Sequence, residues 1–199
     1  MKNETSVDAL NKLKLEAKDN QKNGLPYILA SIVIWALIIA MQLLNLDART
    51  TNLYTFASCC LLTPLAILFA KLVKADIFKK TKNPINKLAL LCTLNQFLYI
   101  LIVMWAFDRS PDSMLMIYAM VFGAHLLPFS WIYNSKAYLV MSIVETLGAL
   151  IIGIYLGNVA IAAFIVVAEI ILSTLLFKDC KKLAWPFDIT IRKSIIKIP

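Results

Sequence analysis

The chain has 199 residues, of which 60% are hydrophobic and 16% charged, with a formal net charge of +8. An ordinary soluble domain carries roughly 45–50% apolar residues, and a core of this length cannot bury the excess, so a soluble globular fold is excluded. One histidine and four scattered cysteines leave no metal-ligand spacing and no disulfide framework, and no glycine-rich phosphate loop is present.

Residues 1–25 form a polar, Lys-rich leader. Thr5 and Asp8 are spaced as a capping box, and Val7, Leu10, Leu13 and Ala17 follow on a loosely apolar face. A short surface-lying helix and a solvated tail both fit this segment. Six apolar runs then follow at residues 26–46, 53–73, 88–107, 114–133, 137–156 and 159–177. Each matches the roughly 20 helical residues that cross a hydrocarbon core about 30 Å thick. Helices satisfy their backbone hydrogen bonds internally, as lipid demands, and the alternation of an outer-membrane strand is absent. The first run is too long for a signal-peptide core and is read as a retained signal anchor. Lys71 stands near the end of the second run, where its side chain can snorkel. The expected fold class is therefore an all-α, polytopic integral membrane protein with six transmembrane helices.

Counted in chain order, the Lys and Arg residues number five before the first run, then one, six (Lys71 at the end of the second run counted with its connection), one, one and none between runs, and six after the last. Alternate regions sum to eighteen and two, so the positive-inside rule places both termini in the cytoplasm and only Arg49 and Arg109 outside. Insertion and attraction to anionic headgroups account for the net charge, and no nucleic-acid partner is called for. The connection carrying Lys79, Lys80, Lys82 and Pro84 is the one large enough to form a cytoplasmic surface, while Asp108 to Asp112 reads as a tight outer turn around Pro111. Residues 178–199 form a basic cytoplasmic tail, with Trp185 and Phe187 suited to the headgroup layer; 188–199 fit a short strand or a membrane-lying tail equally. Expected partners are the bilayer and its anionic headgroups, with a homo-oligomer compatible and no cofactor or metal implied.

Ionisable groups inside spanning helices are costly and mark functional sites by default. Glu145 and Glu169 are such groups, and His125 is the single histidine. Under the charge-derived topology, His125, Glu145 and Glu169 each lie eight residues from the cytoplasmic end of their helix, and Asn95 and Gln96 lie seven and eight residues in. All five fall at one level, roughly 12 Å deep at 1.5 Å per residue. The connection between the fourth and fifth runs is short, which makes these helices antiparallel neighbours and a His125–Glu145 pair geometrically accessible. Ser142, Thr146, Ala149 and Gly153 form a stripe of small residues on the fifth helix, and Ala119 with Gly123 forms a small pair on the fourth; both permit close approach. Pro64 and Pro128 are candidate kink points, because an interior proline removes a helical hydrogen bond.

Three functions are compatible with this layer. It can serve solute, ion or proton-linked transport or binding; it can supply interhelical polar pairs, such as Glu145–His125 or Glu169–Asn95, in a structural or assembly subunit; or it can act in an intramembrane enzyme. The last is disfavoured by the incomplete metal and nucleophile signatures.

The run from Tyr118 through Gly123, Ala124, His125, Leu126, Leu127 and Pro128 to Tyr133, with Leu29 to Trp35, resembles an uncharacterised family of small multi-spanning proteins from Bacillus-type bacteria. The resemblance implies a bacterial cytoplasmic membrane, carries no activity, and directs attention to the segment around His125.

Overall fold

In a computed structural model of the chain, residues 6–44, 46–77 and 82–195 are described, with 182–195 described by their backbone alone. Nine α-helices make up almost all of the described residues, and no strand occurs among them. They are α1 (Ser6–Gln21), α2 (Leu25–Gln42), α3 (Ala48–Cys59), α4 (Leu62–Val73), α5 (Pro84–Arg109), α6 (Met114–His125), α7 (Leu127–Ile132), α8 (Lys136–Tyr155) and α9 (Asn158–Ile195). Six helical stretches, taken across their short interruptions, are long and apolar enough to cross a membrane.

Helix limits differ from the apolar runs because capping side chains, and not hydropathy, fix them. Asp47 accepts from the Thr50 N–H at 2.9 Å and starts α3 at Ala48, five residues ahead of the apolar run. The same Thr50 contacts hold the Asp47 carboxyl below the usual carboxylate range. Asn83 caps the Ile85 N–H at 2.9 Å, and with Pro84 in the first turn α5 begins four residues before its run. The α2 helix stops at Gln42, short of the expected end at Leu46. At the C-terminus, α9 continues through residues 188–195, so the alternative of a strand there is not what the backbone adopts; residues 196–199 lie outside the described set.

Two spanning stretches are interrupted. The break between α3 and α4 falls at Cys60 and Leu61, and that between α6 and α7 at Leu126. Each lies in the turn preceding a proline, Pro64 or Pro128, whose ring lacks an N–H and collides with the carbonyl four residues earlier. Entry into α2 uses a tighter device. Lys22, Asn23 and Gly24 have φ of 47°, 58° and 71°, and this left-handed run reverses the chain after α1. At Gly24 a side chain would meet the Tyr138 hydroxyl at 3.1 Å, which favours glycine there beyond its conformational freedom.

The packing centres on α2, α6, α8 and α9. α2 lies against α9 and α4, α6 against α8, and α8 against α9. Small residues set the closest approach: a Cβ on Gly123 would fall 2.7 Å from the Thr146 backbone nitrogen and 2.9 Å from Glu145 Cβ. Such contact lets helices associate in lipid, where no hydrophobic gradient drives them together. α1 crosses one end of the bundle, where Asn83 Nδ2 donates to the Leu13 carbonyl at 2.8 Å and Lys14 Nζ lies 3.4 Å from the Trp131 ring. This end also carries the Lys-bearing connections, and is called the basic end below.

α5 stands apart. Its buried residues are Ile85 and Ala89 near the start and Val103 and Ala106 near the end, while Leu94, Phe97, Leu98 and Leu101 between them are exposed. The helix is pinned at both ends and free along its middle, which leaves space on either side.

Gly123→Ala should lower the thermal midpoint in detergent by more than Gly153→Ala. The first forces a methyl against a backbone nitrogen, for a cost of about 1–3 kcal/mol, whereas the second meets the flexible Met116 side chain. Equal midpoints, or the reverse order, would contradict the α6–α8 approach described.

Candidate functional site

The buried residues fall into two main apolar clusters. One, toward the basic end, includes Ile28, Tyr138, Met141, Ala168 and Leu172. The other includes Ile34, Trp35, Ala149, Ile161 and Ile165. Ser31, Glu145 and Glu169 lie at the seam between them, one on each of α2, α8 and α9, and both glutamates are completely buried. Helical periodicity alone produces this placement, since each polar residue sits within a turn or two of apolar neighbours that belong to opposite clusters.

The glutamates face each other. Their carboxyl groups lie close enough to influence each other electrostatically, and Ser31 is the hydrogen-bond partner of Glu169. Among the described residues no Lys, Arg or His contacts either carboxyl, and both Glu145 oxygens and Glu169 Oε1 are buried with no donor. Carboxylates only accept hydrogen bonds, so a carboxyl–carboxyl contact is bonded only when one oxygen carries a proton. Ser31 adds a second constraint. Its hydroxyl lies 2.7 Å from the Ile28 carbonyl and also against Glu169 Oε2, yet it has one proton to give. Both contacts are satisfied together when Glu169 donates to Ser31 Oγ and Ser31 donates to Ile28; when Glu169 is ionised, Ser31 turns to donate to it. The three residues form a short chain with two proton arrangements.

Ser31 connects this chain to open space. It lines a cavity of about 530 Å³ bordered by α2, α4, α5, α6, α7 and α8, together with Gln96 and His125. Toward the basic end the rim is strung with hydrogen bonds, Tyr133 Oη to Gln21 Oε1 at 2.5 Å and Gln21 Nε2 to Asn86 Oδ1 at 3.3 Å. Asp76 and Lys87 also line that end. A second cavity of about 430 Å³ lies on the opposite face of α5, lined by Asn95, Tyr99 and Pro128. His125 borders both cavities. Its Nδ1 contacts the Phe122 carbonyl, which can only accept, so Nδ1 carries the proton and Nε2 is the remaining polar atom of the ring.

Of the five residues placed at one depth by the sequence, Glu145 and Glu169 meet, His125 and Gln96 line the first cavity, and Asn95 lines the second. Glu145 pairs with Glu169 and not with His125, and Glu169 has Ser31, not Asn95, as its further partner. Sequence reasoning missed Ser31 and the aromatic wall. Ser31 was findable: it is a hydroxyl six residues into α2, within a turn of the depth computed for the glutamates. Among the described residues no cluster of three or more His, Cys, Asp or Glu side chains is arranged to hold a metal ion.

A model described as a family of unknown function, DUF7010, matches residues 10–179, and the chain belongs to that family. No curated protein and no solved structure matches it.

Ser31→Ala removes the hydroxyl that bridges Glu169 and Ile28 and leaves a buried carboxyl oxygen without its neighbour. The expected loss is about 1–3 kcal/mol of stability, read as easier unfolding in mixed detergent micelles, with Ser31→Thr retaining most of it. An alanine variant as stable as the wild type would show that Ser31 does not hold Glu169.

Proposed function

We propose that this DUF7010 family member is an integral membrane protein of the bacterial cytoplasmic membrane, with both termini inside, that binds or transports a small solute in exchange for a proton held by Glu145 and Glu169. One observation carries the reading: two completely buried carboxyl groups face each other without a cation, one hydroxyl away from a cavity of about 530 Å³. A buried carboxyl pair serves packing poorly, because desolvating the groups costs more than an apolar pair would and their mutual bond requires a proton. What such a pair does well is trade that proton for positive charge. Ser31 suits the trade, since its hydroxyl accepts from the acid and donates to the carboxylate with only a torsional turn.

The eighteen-to-two division of Lys and Arg supports placing the basic end, and with it the rim at Gln21 and Asn86, on the cytoplasmic side. The six apolar stretches support the membrane setting. α5, held only at its ends, is the element best suited to open the cavity, because moving its middle breaks few buried contacts. The structural-subunit alternative predicts that the pair is sealed; Ser31 on the cavity wall argues for access.

Dicyclohexylcarbodiimide reacts with protonated carboxyl groups in apolar surroundings, and mass spectrometry of the purified full-length protein should find it on Glu145 or Glu169. A water-soluble carbodiimide should label surface acids instead. Glu145→Gln combined with Glu169→Gln should remain folded and lose the label from α8 and α9. Failure of the folded wild type to react at either glutamate would refute an accessible, proton-bearing pair.

A further inference from the structure

We infer that the solute taken by the larger cavity is a lipophilic organic cation, an inference that rests on the proton-exchange reading above and names its substrate class. The wall chemistry carries it. Tyr27, Phe122, Phe129, Tyr133 and Tyr138 all line the cavity. Phe122 and His125 have ring centroids 5.2 Å apart, His125 and Phe129 6.2 Å, Phe129 and Tyr138 6.0 Å, and Tyr133 and Tyr138 5.8 Å. Phe122, His125, Phe129, Tyr138 and Tyr133 thus make one connected series of rings along the cavity, with Tyr27 lining it apart from them. Ring faces attract positive charge, by about 2 kcal/mol or more where water is excluded.

The alternatives fit less well. An inorganic cation needs several oxygen ligands to replace its hydration shell, whereas this wall is dominated by aromatic and aliphatic carbon, with Ser31, Thr93, Gln96 and His125 as its inner polar groups. An anion would face the acid pair, and no compensating cation contacts that pair among the described residues. A neutral solute has no charge with which to replace the proton. At the basic end Asp76 and Lys87 offset each other, so the rim adds no net barrier to a cation.

The exchange balances. One monovalent cation enters, the proton that Glu169 donates to Ser31 leaves to water, and Glu169 becomes a carboxylate that accepts from Ser31 and from the proton retained on Glu145. The net charge of the site is the same before and after, and no bond other than O–H is broken.

The same ammonium-like chemistry is offered by free cations and by lipid headgroups, so the full-length protein is best tested in dodecyl maltoside, which contributes no ammonium group. Tetraphenylphosphonium binding followed by isothermal titration calorimetry should show saturable association with release of a proton, detected from the dependence of the heat on buffer ionisation. Triphenylphosphine oxide, similar in shape but neutral, should bind roughly tenfold or more weakly, as should tetraphenylphosphonium to Phe129→Leu. Glu169→Gln should abolish proton release, and Glu169→Asp should restore part of it. Added phosphatidylcholine that displaces the probe stoichiometrically would identify the headgroup as the true occupant and overturn the inference. So would equal affinity for the neutral compound, or no binding by wild-type protein whose glutamates still react with dicyclohexylcarbodiimide. Absence of that reaction would instead remove the exchange reading and this inference together.

Discussion

Two carboxyl groups with no cation to pair with among the described residues, completely buried where three helices meet, are the constraint on which the remaining structure depends. The cost of taking a charge out of water is large, so the site is tolerable only when protons and hydroxyls complete its bonding. Ser31 supplies the hydroxyl, and its position on α2 fixes how that helix must turn to face α9. Gly123 on α6 supplies the room, because any larger residue would push against Glu145 Cβ and the backbone beside it. Apolar clusters on both sides then seal the seam along the bundle. The polar chain is therefore held by the same contacts that bring α2, α6, α8 and α9 together.

The interruptions and the loosely held helix give this rigid centre a mobile edge. Breaks before Pro64 and Pro128 divide two spanning stretches, and the second places His125 at the last turn of α6, bordering both cavities. α5 contacts the bundle through its two ends and separates one cavity from the other along its middle. A fixed carboxyl pair beside a helix with few buried contacts is an arrangement in which binding and access can be regulated separately.

Much of this was legible in the sequence. Uninterrupted apolar runs announced the spanning helices, and counting residues from their ends put Glu145 and Glu169 at one level, where they do meet. Depth is readable because each residue advances a helix by a fixed rise. Rotation about the helix axis is not, since a helix apolar on every side carries no amphipathic signature of its inner face. That is why counting along the chain offered His125 and Asn95 as partners of Glu145 and Glu169, whereas these two residues line cavities. Helix ends were misplaced for a different reason: Asp47 and Asn83 cap α3 and α5 several residues before the hydropathy rises. The aromatic wall was invisible for want of the fold, because Tyr27 comes from a helix whose adjacency to those carrying Phe122 and Tyr138 no local pattern records.

Infrared difference spectroscopy of the protein in lipid, comparing mildly acidic with mildly alkaline buffer, addresses the proton of the pair directly. The account predicts a protonated-carboxyl band that diminishes as pH rises and is altered in both Glu145→Gln and Glu169→Gln. A band that is unchanged across this range, or that titrates identically in the two variants and the wild type, would contradict an exchangeable proton and leave the pair as a fixed interhelical contact.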